Sequence, residues 1–297
     1  MRMRKFLAIA LFCLLPPLCS AAGLHVLLIP SGDEVPYRNF CKAFRQSLPA
    51  GIQLEELKIE SFTGKEKADL VVTVGMKAAG LALNRTTLPV IASMIPSYSF
   101  AALKQIRPNG LSAIFVDQPW DRQVRLLRAA FPERTRVGLL TSPRSNLDIS
   151  DLRLKLEEAG DTLLSEEVPE GTLFGKLEKT LSGSQILLAV PDSAIYNSNS
   201  IRDILLSSYR YRVPMVGFSE AFVDAGAICA IYSTPEQLAA QAGAMLGAYL
   251  KLGRLPEPEF PKLFKISVNH EVSSMLGIPI PSRELLILKL EREGATR

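Results

Sequence analysis

Short apolar runs alternate with amphipathic stretches along this chain. Runs at 25–29, 68–74 and 88–92 are nearly continuous and read as strands buried on both faces. Residues 53–59 alternate with period two, as a half-exposed strand does. Amphipathic spacing predicts helices over 35–48 and 76–84, and residues 111–116 read as the last strand of a first unit. The pattern then restarts. A helix over 119–131 places Trp120, Val124, Leu127 and Ala130 or Phe131 on one face. Strands at 136–140, 162–168, 185–190 and 213–217 alternate with helices at 149–159, 173–181 and 199–211. A strand at 226–232 leads to an Ala-rich helix over 235–252, which opens with Pro235 and is stopped by Gly253. A Pro-rich link at 255–261, a strand at 264–268 and a short helix at 269–276 follow. Strand–helix repetition with short loops implies parallel sheets covered by helices on both faces. Two consecutive units imply two lobes. The isolated pieces after 226 imply a chain that recrosses a hinge, with crossings near 117, 232 and 265.

The N-terminus has its own pattern. Arg2, Arg4 and Lys5 precede an apolar run at 6–15, a Pro-Pro break and small residues up to Gly23. This is the three-part layout of a secretory signal, with cleavage expected after Ala21 or Ala22. The run is shorter than the roughly 20 apolar residues of a membrane span. Cys19 follows Pro16-Pro17-Leu18, a poor lipoprotein box. The mature chain is therefore expected to be exported to the periplasm without an anchor. Cys41 and Cys229 remain after cleavage, and are read as buried thiols in preference to a disulfide.

Composition narrows the chemistry. With 47% hydrophobic and 22% charged residues the chain has material for a sizeable core. The formal charge is +4, but three of the cations lie in the leader, so the remainder is close to neutral. That balance, with one Trp, argues against nucleic acid as a partner. His25 and His270 are the only histidines, which leaves little for a metal cluster or a Ser–His–Asp hydrolase. No P-loop, Rossmann fingerprint, nucleophile elbow or zincin motif is present, and no cofactor is expected. The segment GMKAAG at 75–80 follows a strand and opens a helix. It reads either as an anion site or as a tight turn with close helix packing.

What remains is a set of residues at the carboxyl ends of strands, where open α/β sheets bind ligands. They are Ser31, Gly75, Ser93, Asp117, Ser142, Asp192, Ser219 and Glu220, with Met76 after Gly75 and Tyr232 closing its strand. Helix capping is the competing role for each, and the stronger one for Ser31, Ser142 and Ser219. Asp192 and Glu220 are the best candidates, because a carboxylate at a cleft can hold an amine or several hydroxyls. Tyr196, Phe218 and Tyr232 supply either flat cleft walls or core packing.

The stretch VPMVGFSEAFVDAGAICAIYSTPEQLAAQAG at 213–243 resembles a hallmark of tryptophan-binding-like substrate-binding proteins of ABC transporters. VPD at 190–192 is similar to that family's Pro-x-Asp element, and VGMKAA at 74–79 to its Gly-x-x-Ala-Ala element. Ser193 and Ala194 depart from the Asn and Thr common there, so the likeness carries over at Asp192 and not past it. The resemblance implies two doubly wound lobes joined by three crossings, the type I periplasmic-binding fold. It implies a first lobe of 24–116 plus 233–262, a second of 119–230 plus 268–282, and a tail at 283–297. It also implies a monomer that clamps a small-molecule ligand by hinge closure and delivers it to ABC permease subunits in the inner membrane. Two other readings use the same lobes: a sensory module for a membrane receptor, and an enzyme on a doubly wound fold. The scarcity of His and of nucleophile motifs disfavours the enzyme.

Overall fold

The computed structural model describes residues 23–294. The expected leader, with its cleavage site, lies outside the described residues. The first sheet is built from β1 (Leu24–Pro30), β2 (Ile52–Glu56), β3 (Leu70–Val74), β4 (Val90–Ile95) and β5 (Leu111–Phe115). Its order is β2-β1-β3-β4-β5 and every pairing is parallel. Strand β3 is buried along its whole length, as its unbroken apolar run requires. One face packs on α1 (Val35–Gln46) and α9 (Pro235–Leu252) through Phe40, Phe44, Leu238 and Leu246. The other face packs on α2 (Met76–Arg85) and α3 (Phe100–Ile106) through Ala78, Ala79, Ala82 and Leu103.

The second sheet has the order β11-β10-β9-β8-β6-β7. Its strands are β6 (Arg136–Thr141), β7 (Thr162–Glu167), β8 (Ile186–Leu188), β9 (Met215–Gly217), β10 (Cys229–Tyr232) and β11 (Lys265–Val268). Helices α4 (Trp120–Ala130), α5 (Ser150–Glu158), α6 (Leu173–Gly183), α7 (Ile201–Arg210) and α8 (Glu220–Ala225) connect them. Strand β11 departs from the all-parallel expectation and pairs antiparallel with β10. The chain leaves β10 for the first lobe, runs along α9 and returns from the opposite direction, so no same-side crossover forces a parallel pairing. Helices α3 and α8, absent from the sequence pattern, are only 7 and 6 residues long, too short for a clear amphipathic period.

Helix α9 is stopped and started as its sequence predicts. Thr234 accepts from Gln237 N and Gln237 bonds back to Thr234 N, a full capping box, and Gly253 ends the helix at φ 66°. The expected short helix is α10 (His270–Leu276), and the tail forms α11 (Arg283–Gly294). Helix α11 docks on the second lobe with Leu286 and Leu290 buried, and Arg125 Nη1 donates to Leu290 O at 2.7 Å. Cys41 and Cys229 are free and buried in different lobes' cores. Burial pushes both thiols up to about 12, with Glu56 adding to the effect at Cys41.

The chain passes between the sheets three times, after β5, after β10 and before β11. Hydrogen bonds tie the three passages together. Gln118 Nε2 donates to Ser233 Oγ at 2.9 Å, and Ser233 Oγ donates to Leu263 O. Arg122 Nη1 reaches both Gln118 Oε1, at 2.6 Å, and Pro261 O, at 2.9 Å.

Because Leu286 is fully buried on the second lobe, Leu286→Ala is expected to cost about 2–5 kcal/mol. Denaturant unfolding measures this. An unchanged midpoint would show that α11 contributes nothing to the lobe.

Candidate functional site

The carboxyl ends of both sheets face a shared cleft that holds a cavity of about 790 Å³. Tyr37, Met76, Met94, Pro96, Tyr98 and Val116 form its wall on the first lobe. Ser142, Arg144, Ser145, Pro191, Asp192, Ala194 and Phe218 form the wall on the second. The lining is apolar and aromatic with a few polar groups, the usual make-up of a small-molecule site.

Each wall is braced by one carboxylate in the same way. Asp117, just past β5, accepts from Ser97 N at 2.7 Å and from Ser97 Oγ. Ser97 lies in the turn that follows the neighbouring strand, β4. Asp192, past β8, accepts from Ser142 N at 2.7 Å and from Ser142 Oγ at 3.0 Å. Ser142 follows the neighbouring strand, β6. In both lobes a carboxyl side chain pins the loop of the adjacent strand by accepting from a backbone N–H and a hydroxyl of one serine. Asp192 also accepts from Ala194 N at 3.1 Å and is only 3% exposed. Burial pushes the Asp117 carboxyl up, against the bonds from Ser97, which pull it down.

The residues singled out from sequence fall into distinct places. Met76, Ser142 and Asp192 line the cavity. Ser31, Gly75, Ser93, Asp117, Ser219, Glu220 and Tyr232 are not among its lining residues. Ser31 Oγ accepts from Ala78 N at 2.9 Å and so satisfies the first turn of α2. Gly75 sits at φ 85°, and a Cβ there would lie 2.6 Å from the Tyr37 hydroxyl and 2.7 Å from Ser31 Oγ, so only glycine fits this turn. Ser93 is fully buried and its hydroxyl has no partner among the described residues. Ser219 precedes α8 as its N-cap residue. Glu220 is exposed in the first turn of α8 and lies beside Tyr232. Tyr232 shares a hydrogen bond of 2.9 Å with Ser267 Oγ of β11. Asp192 thus lines the cavity and Glu220 does not. Asp192 and Glu220 follow different strands, and α8 turns Glu220 toward β10.

Of the three aromatics, Phe218 lines the cavity. Tyr196 is buried beneath it, with Phe218 and Phe222 around its ring. Burial, with the Asp192 charge as a second cause, pushes its hydroxyl up.

The sequence pattern missed Tyr37, Met94, Tyr98 and Arg144. Met94 is the least legible. The register of β4 and β5 shifts between Ser93 and Ile95, and Met94 adopts φ 55°. A left-handed methionine costs on the order of 1–3 kcal/mol and places Met94, not its neighbour Ser93, in the wall. Tyr98 and Arg144 lie one and two residues past the serines that Asp117 and Asp192 hold, within the loops the carboxyl-end rule picks out.

The model for ABC transporter substrate binding protein matches residues 55–289 of the chain. No curated protein matches it by sequence. Among solved structures, the chain is similar to an ABC domain from Streptococcus pneumoniae in complex with L-Trp. Identity there is 19%, coverage 89% of this chain and 98% of that one, and the TM-score 0.67. A ligand-free, open substrate binding protein with adhesive properties from Clostridium difficile is 15% identical, with 88% and 97% covered and a TM-score of 0.69. A periplasmic ribose ABC transporter protein from Conexibacter woesei is 13% identical, with 88% and 97% covered and a TM-score of 0.51. These likenesses show the type I periplasmic-binding fold. With two such lobes facing one cleft, and the family model spanning most of both, the chain belongs to the ABC transporter substrate-binding protein family.

Proposed function

We propose that this protein is the extracytoplasmic carrier of an ABC importer, clamping one small molecule in the interlobe cleft and presenting it to permease subunits. The observation that carries the reading is the cavity itself, with walls from both lobes braced by matching Asp–Ser pairs. Closure of two rigid lobes around a ligand that binds the closed form better shifts the population, and no covalent step is required. Family membership supports an extracytoplasmic location, as does the three-part leader, with the mature chain starting near Ala22 or Gly23. Among the described residues, no helix is long and apolar enough to cross a membrane. The carrier acts as a monomer, without nucleic acid.

The lining points to a ligand with a flat apolar body. Tyr37, Tyr98 and Phe218 offer aromatic faces, and Met76 and Met94 adaptable apolar contact. Arg144 is the cation of the wall; it is exposed, and its ion pair with the equally exposed Glu170 is a loose 3.4 Å. It is therefore free to meet an anionic group of the ligand. The similar Streptococcus pneumoniae structure, with its L-Trp, fits an aromatic, zwitterionic ligand class.

Native mass spectrometry of protein purified from the periplasm is expected to show one small molecule per chain, recovered unchanged after incubation. A converted product would overturn the carrier reading. With that molecule as titrant, Arg144→Ala is expected to weaken binding about ten- to hundredfold in calorimetry, the loss of one charge-assisted contact. Unchanged affinity would remove Arg144 from the site.

Asp192 behaves differently in this geometry, because its oxygens already serve Ser142 and Ala194. Asp192→Ala leaves the buried Ser142 N–H unpaired and is expected to lower stability by about 1–3 kcal/mol in the ligand-free protein. An unchanged melt with lost affinity would instead make Asp192 a direct ligand contact.

A further inference from the structure

Tyr98 stands in the turn held by Asp117, and its hydroxyl donates across the cleft to Pro191 O at 2.8 Å. Pro191 immediately precedes Asp192, the carboxylate that braces the opposite wall. The bond therefore joins the two braced turns directly: Asp117 holds Ser97, Tyr98 reaches over, and Pro191 leads into the Asp192–Ser142 pair. The interlobe bonds of Gln118, Arg122 and Ser233 lie at the hinge, whereas this one lies at the cavity, in its wall.

We propose that Tyr98 is a latch across the cleft and that Asp117 is the positioning residue that keeps it in reach, so that contact between the lobes themselves favours the closed arrangement. This rests on the reading of the two lobes as a clamp and names the residues that set its resting balance. Two features suit Tyr98 to the role. Burial, with the charges of Asp192 and Asp117, pushes its hydroxyl up to about 12, so it remains a donor at neutral pH. Its turn, Ser97–Ser99, is a single 3-10 turn with no side-chain cap of its own, and the bonds from Ser97 to Asp117 tie it to the neighbouring strand's end. A latch of one net hydrogen bond is small enough for a ligand to exploit, since it shifts the open-to-closed ratio by only about two- to tenfold.

The test measures lobe separation in the full mature chain. Spin labels on Gln105→Cys in α3 and Glu157→Cys in α5, both exposed positions in different lobes, report the distance distribution by electron-resonance methods. The native thiols are buried and poorly ionised, so the labels go to the introduced ones. Tyr98→Phe keeps the ring and removes the hydroxyl. It is expected to move the population toward longer separations by about two- to tenfold. Asp117→Ala is expected to give the same shift, and to add nothing in the Tyr98→Phe background, because it acts through Tyr98. Ser97→Ala, a milder change, provides the same reading should Asp117→Ala fold poorly. An unmoved distribution in Tyr98→Phe overturns the latch. Additive shifts, or a lowered melting temperature for Asp117→Ala with an unmoved distribution, overturn the positioning role. The readout needs neither ligand nor transporter, so its failure leaves the carrier reading standing, and a failed ligand search leaves the latch measurable.

Discussion

The three passages between the lobes meet at the Ser233 hydroxyl. It receives a hydrogen bond from Gln118 in the first passage and gives one to the carbonyl of Leu263 in the third, while standing itself in the second. Three separate segments of chain thus meet at one atom. Arg122 closes the arrangement from the side by bonding Gln118 and Pro261. A buried hydroxyl that serves as both donor and acceptor leaves no lone partner unsatisfied, so it costs little to bury. None of these side-chain bonds belongs to a sheet ladder, so a change in the angle between the lobes would not have to break either sheet.

From that pivot outward, each lobe meets the cleft through the same device. A parallel sheet ends in loops whose N–H groups point out of the sheet, and those loops must be held if they are to form a wall. Asp117 and Asp192 do this in the first and second lobe, each reaching sideways from one strand to the loop after its neighbour. The carboxylates therefore brace the cleft, and Asp192 also lines its cavity. Groups more available to a ligand are those the carboxylates leave alone: the aromatic faces, the two methionines and Arg144.

Much of this was legible in the sequence, and the boundary of legibility has physical causes. The long amphipathic helices and unbroken apolar strands declare themselves because burial on a fixed face imposes a period. Helix α9 is found to the residue because Pro235 and Gly253 punctuate its ends with local chemistry, to which the structure adds the Thr234–Gln237 capping box. The carboxyl-end rule finds the right loops, since it follows from topology alone. It does not say which residue of a loop faces the ligand. That depends on events without a sequence period, such as the bulge that puts Met94 in the wall and leaves Ser93 buried. Asp192 shows the same limit. Its position at the cleft is legible, but its partner Ser142 lies 50 positions away in the chain, so its bracing role is not.

The strain at Met94 fits this picture of a cleft built from held turns. A methionine with φ in the left-handed region is retained only where the surroundings over-determine it. Here β4 is pinned on one side by its ladder with β3 and on the other by β5, while just beyond it Asp117 holds Ser97 in place. Between two such fixed points the one intervening irregularity has to be taken up locally, and it is taken up at residue 94. Its result is to replace a small hydroxyl by a long, polarizable side chain at the surface of the cavity. The turn that Asp117 holds thus begins three residues past Met94 in the chain, and both Met94 and Tyr98 line the cavity. In the second lobe Asp192 stands in the corresponding relation to Ser142 and, two positions on, Arg144. Such bracing matters for any ligand taken up between the walls, because a wall that is already ordered has less entropy to lose on binding.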